Sequence, residues 1–226
     1  MKETLDIISG AILFNGLPSD QIRQVADIAV RRSFGKGALI FSEGDDGNGF
    51  FLVVEGLVKI FKMSPDGKEQ ILHIFGPGEP FGEVPVFSGK AFPANAEAIQ
   101  ASRLLFFPRE DFVNLVQRTP SLALNMLAVL SMRLRQFTVQ VENLSLKEVP
   151  ARLAAYLVYL SDEQQSKSAV DLEISKGQLA SLLGTIPETL SRIFQKMNTQ
   201  NLIEVEGRRI KLLDYPRLRD LSLGET

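Results

Sequence analysis

This 226-residue chain contains no cysteine and a single histidine, His73. The first absence excludes disulfides, thiolate zinc sites and cysteine-ligated iron–sulfur clusters. The second, with no P-loop and no Gly-x-Ser-x-Gly elbow, leaves no nucleophile–base pair on which to build an enzyme. Glu83 and Glu97 are the nearest acidic pair, and they read more simply as a pocket contact and a surface residue. No long apolar run is found at the start, where MKETLDIISGAILFNGLPSD is broken at Ser9-Gly10 and Asn15-Gly16. Neither a signal peptide nor a membrane span is expected there, and the expected location is cytoplasmic. A strong excess of one charge is missing too. The net charge of −2 gives no general argument for a nucleic-acid partner, though it leaves room for a local basic face.

What is present is an ordinary globular composition, 45% hydrophobic and 23% charged, in a length that suits one large domain or two modest ones. A helical patch is expected at Ser19 to Ala29. Residues 30 to 107 then carry short apolar runs (ALIF, FFLVVEG, LVKIFKM, QILHIF, RLLFF) separated by glycine turns, which argues an antiparallel sandwich or barrel. Pro65-Asp66-Gly67 predicts a hairpin, because Pro and Asp favour the first turn positions and Gly supplies positive φ.

The period changes at Thr119-Pro120, a cap followed by a proline at the first helical position. From there Ala123, Leu127, Leu130, Leu134, Phe137, Val141 and Leu144 alternate spacings of four and three for about three heptads. Arg133, Arg135, Gln136 and Gln140 leave the other faces polar. The pattern predicts a dimer seam rather than a core-facing stripe. Pro150 breaks the helix, making Ser145 to Val149 the expected hinge. ARLAAYLVYLSDEQ reads as a further helix and SDEQQSKSAVD as a polar loop.

The most informative stretch is Ile174 to Asp214. Ser175 caps a short helix bearing Leu179, Leu182 and Leu183; Gly184 supplies a tight turn; Pro187 starts a second helix with Leu190, Ile193, Phe194 and Met197 on one face. Off that stripe lie Glu188, Thr189, Ser191, Arg192, Gln195 and Lys196. An Arg can fork onto a guanine edge, a Glu can accept from cytosine N4, and Lys reaches phosphates. Residues 201 to 205, NLIEV, and IKLL around Glu206-Gly207-Arg208 read as a wing. Between Lys176 and Lys211 six cations, Arg208 and Arg209 among them, face three acids, a local charge of +3. Ser175 and Lys176, at the start of the first helix, complete the expected DNA face.

Taken together, FSEGDDGNGFFLVVEGLVKIF, DGKEQIL, the FGE of Phe81-Gly82-Glu83, the heptad helix and GTIPETLSRIFQKMNTQNLIEVEG resemble bacterial transcription regulators of the CRP/FNR superfamily over almost the whole chain. The resemblance implies an α+β architecture: a cyclic-nucleotide-binding-like β-roll (jelly roll) over 1–118, a dimerisation helix over 119–145, and a winged helix-turn-helix over 146–226. It implies a homodimer on a palindromic site in double-stranded DNA, contact with RNA polymerase, and no membrane. Glu188, Ser191 and Arg192 match the E-x-x-S-R of readers whose half-sites resemble TTGAT. Relatives of the cyclic-AMP receptor place an Arg where this chain has Pro187.

In the cyclic-nucleotide-binding relatives an Arg-Ser pair after a short loop holds the phosphate, and here that position is Phe92-Pro93. The hydroxyl pair of the long helix becomes Phe137-Thr138. A cyclic phosphate buried without its Arg would stay desolvated at several kcal/mol per ion, so cyclic AMP is not expected. What remains is an apolar pocket of Phe81, Gly82, Glu83 and Phe87 with Phe92, Leu130, Phe137 and Thr138. FPANAEA resembles the branch of nitric-oxide and nitrosative-stress regulators, several of which are associated with haem. Haem or another apolar ligand is therefore the expected effector; for haem, His73 is the candidate axial ligand, with a methionine or the N-terminus as the other options. An alternative is a constitutive regulator whose β-roll is only a scaffold.

Overall fold

The computed structural model describes residues 2–224. Its first unit, through Arg135, opens with α1 (Lys2–Gly10) and α2 (Ser19–Ile28), the second being the expected helical patch. Then come β1 (Val30–Phe34), β2 (Leu39–Phe41), β3 (Gly49–Glu55), β4 (Val58–Met63), β5 (Glu69–Phe75) and β6 (Pro80–Phe81). A short helix α3 (Val84–Ser88), β7 (Asn95–Ala98), β8 (Ser102–Pro108) and α4 (Arg109–Arg118) follow. The long helix α5 (Pro120–Leu146) starts in this unit, and its last turns belong to the next.

The strands form two antiparallel four-stranded sheets, ordered β1-β8-β3-β6 and β2-β7-β4-β5. Phe41, Phe51, Val53, Val58, Phe75, Phe81 and Leu104 fill the space they share. The opposite face of the first sheet presents Phe50, Leu52, Leu105 and Phe107 to Phe14, Phe112, Leu122, Met126 and Val129 of the helices. Strand β3 is thus buried on both faces, which is why GFFLVV reads as an unbroken apolar run rather than an alternation. Each fully buried Phe of this kind contributes roughly 1.5–3 kcal/mol. The predicted hairpin joins β4 and β5: the Ser64 amide donates to the Lys68 carbonyl at 2.9 Å, and Gly67 takes φ +81°.

The second unit, from Gln136, holds the end of α5, then α6 (Val149–Glu163), β9 (Ala169–Asp171), α7 (Lys176–Leu182), α8 (Pro187–Thr199), β10 (Ile203–Glu206), β11 (Arg209–Leu212) and α9 (Tyr215–Leu223). Pro150 sits in the first turn of α6, where its missing amide costs nothing. Leu157, Leu179, Leu190, Phe194, Met197, Leu202 and Ile210 are buried.

One stretch departs from expectation. SAVD, read as part of a polar loop, contains strand β9, which pairs with β11 to complete a three-stranded sheet. Ala169 and Val170 are buried there, and the Gln164 side chain both donates to and accepts from the Asp171 backbone at 2.8 Å. Three residues are too few to show a period of two. No described helix is long and apolar enough to cross a membrane.

Candidate effector pocket and DNA-reading face

The FGE stretch leaves β6 through Gly82, whose φ of +74° lies in the left-handed region. A Cβ on Gly82 would press to 3.2 Å from the rings of both Phe41 and Phe92, so close approach as well as backbone conformation calls for glycine. Phe92 lies flat on Phe41, with centroids 3.7 Å apart and planes 7° apart, while Phe81 stacks with Phe51 at 5.2 Å. Aromatic surface therefore fills the position that the resemblance assigns to a phosphate anchor.

Glu83 is buried, and its carboxylate accepts from the guanidinium of Arg133 on α5. The same guanidinium donates to the Pro80 carbonyl and lies 4.8 Å over the Phe75 ring. The sequence pattern places Arg133 only on a polar helix face. The signal that could have found it is spacing: Leu122, Met126 and Val129 face the core, and Arg133 continues that stripe one turn on. A charge at a core position must find a partner.

The other expected pocket residues do not all gather here. Phe81, Gly82, Glu83 and Phe92 do. Phe87 is 47% exposed, because it sits on the outer side of the short α3. Leu130 packs with the helix-covered cluster rather than the aromatic one. Phe137 and Thr138 belong to the second unit, where both are exposed.

His73 lies on β5 opposite Ile60, half-buried, its ring 4.5 Å from Phe75. Burial, and then the positive charge of Arg133, push its pKa down to about 4, so the imidazole is neutral at pH 7. A neutral imidazole is the ligating form, but a porphyrin also needs a flat slot beside it. Here the neighbouring rings pack on one another and a guanidinium covers Phe75, so the residues as arranged do not fit haem.

Along α5 a second apolar stripe, distinct from the core stripe, is exposed: Leu127, Leu134, Phe137 and Val141. Ala123, Leu130 and Leu144, the rest of the expected seam, are partly buried.

In the second unit Ser175 and Gln178 form a reciprocal capping box at the start of α7. Gly184, at φ +66°, makes the turn into α8, whose buried stripe is Leu190, Ile193, Phe194 and Met197. Glu188, Ser191, Arg192, Gln195 and Lys196 are exposed on the other side, with Thr189 half-buried between them. Lys176 sits 5.3 Å over the Phe194 ring. On the wing, Lys211 is held by Glu204 at 3.0 Å and by Glu206, and Arg209 lies 3.8 Å from Asp171. Among the described residues no ion pair engages Arg192, Lys196 or Arg208.

A fold with a β-roll, a long helix with an exposed apolar stripe and an open helix-turn-helix defines a DNA-binding transcription regulator. Residues 31–119 match the model for the cyclic nucleotide-binding domain, and residues 151–221 match that for the Crp-like helix-turn-helix domain. The chain belongs to the CRP/FNR family of transcription regulators. It is 30% identical to the cyclic AMP receptor protein of Thermus thermophilus, over 96% of this chain and 99% of that protein. It is 28% identical to the transcriptional activator protein Anr of Pseudomonas aeruginosa, over 86% and 81% respectively. Among solved structures, FixK2 from Bradyrhizobium japonicum superposes with a TM-score of 0.76 at 26% identity, covering 86% of this chain and 97% of that one. The family's members are regulators and not enzymes.

Proposed function

We propose that the chain is a cytoplasmic, homodimeric activator or repressor that reads a palindromic DNA site with the first turns of α8 and recruits or blocks RNA polymerase there. The observation that carries this reading is the exposed stripe of Glu188, Ser191 and Arg192, with no ion pair among the described residues and opposite the buried stripe of the same helix. The exposed stripe on α5 supports the dimer, because leaving Leu127, Leu134 and Val141 in water forgoes roughly 25 cal/mol per Å² of their surface. Selection of bound sequences from random duplexes tests the site. Two TTGAT-like half-sites one helical turn apart are expected, and enrichment of no sequence would sink the proposal.

For the sensor, the internal pair Arg133–Glu83 and the stacked Phe41 and Phe92 support a β-roll that satisfies its own pocket, in a regulator that binds DNA without a nucleotide. The Thermus relative is named a cyclic AMP receptor, so calorimetry with cyclic AMP is the direct check. No heat of binding and unchanged DNA affinity are expected. The redox or nitrosative signal expected from the sequence is tested by haemin titration of wild type and His73→Ala. A Soret shift lost in the variant would replace the self-satisfied reading with a haem sensor.

A further inference from the structure

An exposed recognition helix binds a palindrome only if something fixes where it sits relative to the dimer axis. In the second unit one side chain spans the elements concerned. Arg152, half-buried on α6, donates from Nε to the Lys147 carbonyl at 2.8 Å, from Nη1 to the Leu183 carbonyl at 2.9 Å, and from Nη2 to the Leu144 carbonyl at 2.9 Å. All three acceptors lie where helices stop. Leu144 is in the last turn of α5, and its natural donor, the amide of residue 148, falls beyond the helix end at Leu146. Lys147 is in the connector. Leu183 is the C-cap of α7, and four residues on comes Pro187, which has no amide to offer. The cation also sits at the negative ends of two helices.

We propose that Arg152 is a positioning residue for DNA reading: it ties the turn that launches α8 to the end of the α5 seam. Leu183 directly precedes Gly184, and Leu144 belongs to the heptad series with Phe137 and Val141. A guanidinium is a rigid planar fork, so an ångström-scale movement of the last turn of α5 either drags the helix-turn-helix with it or breaks a charge-assisted bond. The Lys147 ammonium adds a second strut, donating to the Ser222 carbonyl of α9 at 2.8 Å. Arg152 itself spends its donors inward and is not assigned a DNA contact.

The inference rests on the reading that α8 binds DNA, and the test separates the two. Full-length wild type is used to select an operator; if it selects none, the DNA reading fails before Arg152 is touched. Arg152→Lys, which keeps the charge and stem but not the fork, and Arg152→Gln, which keeps one amide donor group, are then compared with it. The readouts are operator affinity, random-duplex affinity across salt, sensitivity to a one-base-pair change of half-site spacing, melting temperature and sedimentation. Operator affinity should fall about tenfold in Arg152→Lys and further in Arg152→Gln, the scale of losing charge-assisted bonds. Random-duplex affinity, its salt slope and the dimer should stay unchanged, and spacing discrimination should relax. Operator affinity equal to wild type would overturn the proposal. So would a salt slope lowered by about one, which marks a direct phosphate contact. Parallel loss of operator affinity, random-duplex affinity and folding in both variants would make Arg152 a structural residue instead.

Discussion

The β-roll and the helix-turn-helix treat charge in opposite ways. In the first unit, Glu83 of the β-roll and Arg133 of α5 keep only 6% and 15% of their side-chain surface in water and are spent on each other. On α8, Glu188, Arg192 and Lys196 are exposed and spent on nothing within the described residues. A buried charge is committed, because leaving it unpaired costs several kcal/mol; an exposed one is available, because water holds it until a partner arrives. The first half therefore keeps its buried charges paired with each other, and the second half leaves its charges exposed.

The largest effect should come from breaking the committed pair. Arg133→Met leaves the Glu83 carboxylate buried and alone, and is expected to lower the stability of the first unit by about 3–5 kcal/mol in denaturant titrations. Adding Glu83→Gln should recover most of that loss, since two neutral groups no longer demand each other. If the single variant is as stable as wild type, the buried Glu83 carboxylate does not depend on Arg133. The mirror experiment on the open side is Arg192→Ala. Operator affinity should drop by about 1–3 kcal/mol with preference relaxed at one base pair, while folding stability stays within about 0.5 kcal/mol. A uniform loss on operator and random DNA would make Arg192 a phosphate contact.

This contrast also explains which parts of the molecule were legible in the sequence. The helix-turn-helix was readable to the residue: Ser175 caps, Gly184 turns, Pro187 starts, and Leu190, Ile193, Phe194 and Met197 bury, because each is local and depends on neighbours within a turn or two. The hairpin at Gly67 was readable for the same reason. The pocket was not, because its outcome depends on contacts far apart in sequence. Glu83 meets Arg133 fifty positions away, and Phe92 meets Phe41 across four intervening strands and α3. Composition could supply aromatic residues for a cavity, but not show that they would fill it. Helix α9 went unread because Pro216 and the short apolar set of RLRDLSL give little period, although Asp214 caps it by accepting from Arg217 at 3.1 Å.

His73 gives a smaller and pH-dependent version of the same test. Its folded pKa, about 4, lies below the ordinary value of 6.5, so the unfolded chain binds a proton that the native state refuses. That contribution is absent above pH 6.5 and grows as pH falls toward 4, reaching about 2 kcal/mol of lost stability at pH 5. Chemical denaturation at pH 7 and pH 5 should show the loss in wild type, and it should be largely absent in His73→Phe. Equal slopes in both proteins would mean that the imidazole is not desolvated beside Arg133 and Phe75.

The smallest expected effect sits on the open half, at a residue with two readings. Ser175 is both the cap of α7, accepting from the Gln178 amide at 3.2 Å, and an expected phosphate neighbour. Ser175→Ala should cost about 1 kcal/mol of stability by removing the cap. Ser175→Asp restores the cap and favours the positive end of α7, so stability should return to the wild-type level. The added charge, however, would face phosphates if this end of α7 lies against DNA. Operator affinity should then fall below that of Ser175→Ala, and more steeply at low salt. Recovery of both stability and affinity in Ser175→Asp would confine Ser175 to capping and move the DNA boundary toward α8.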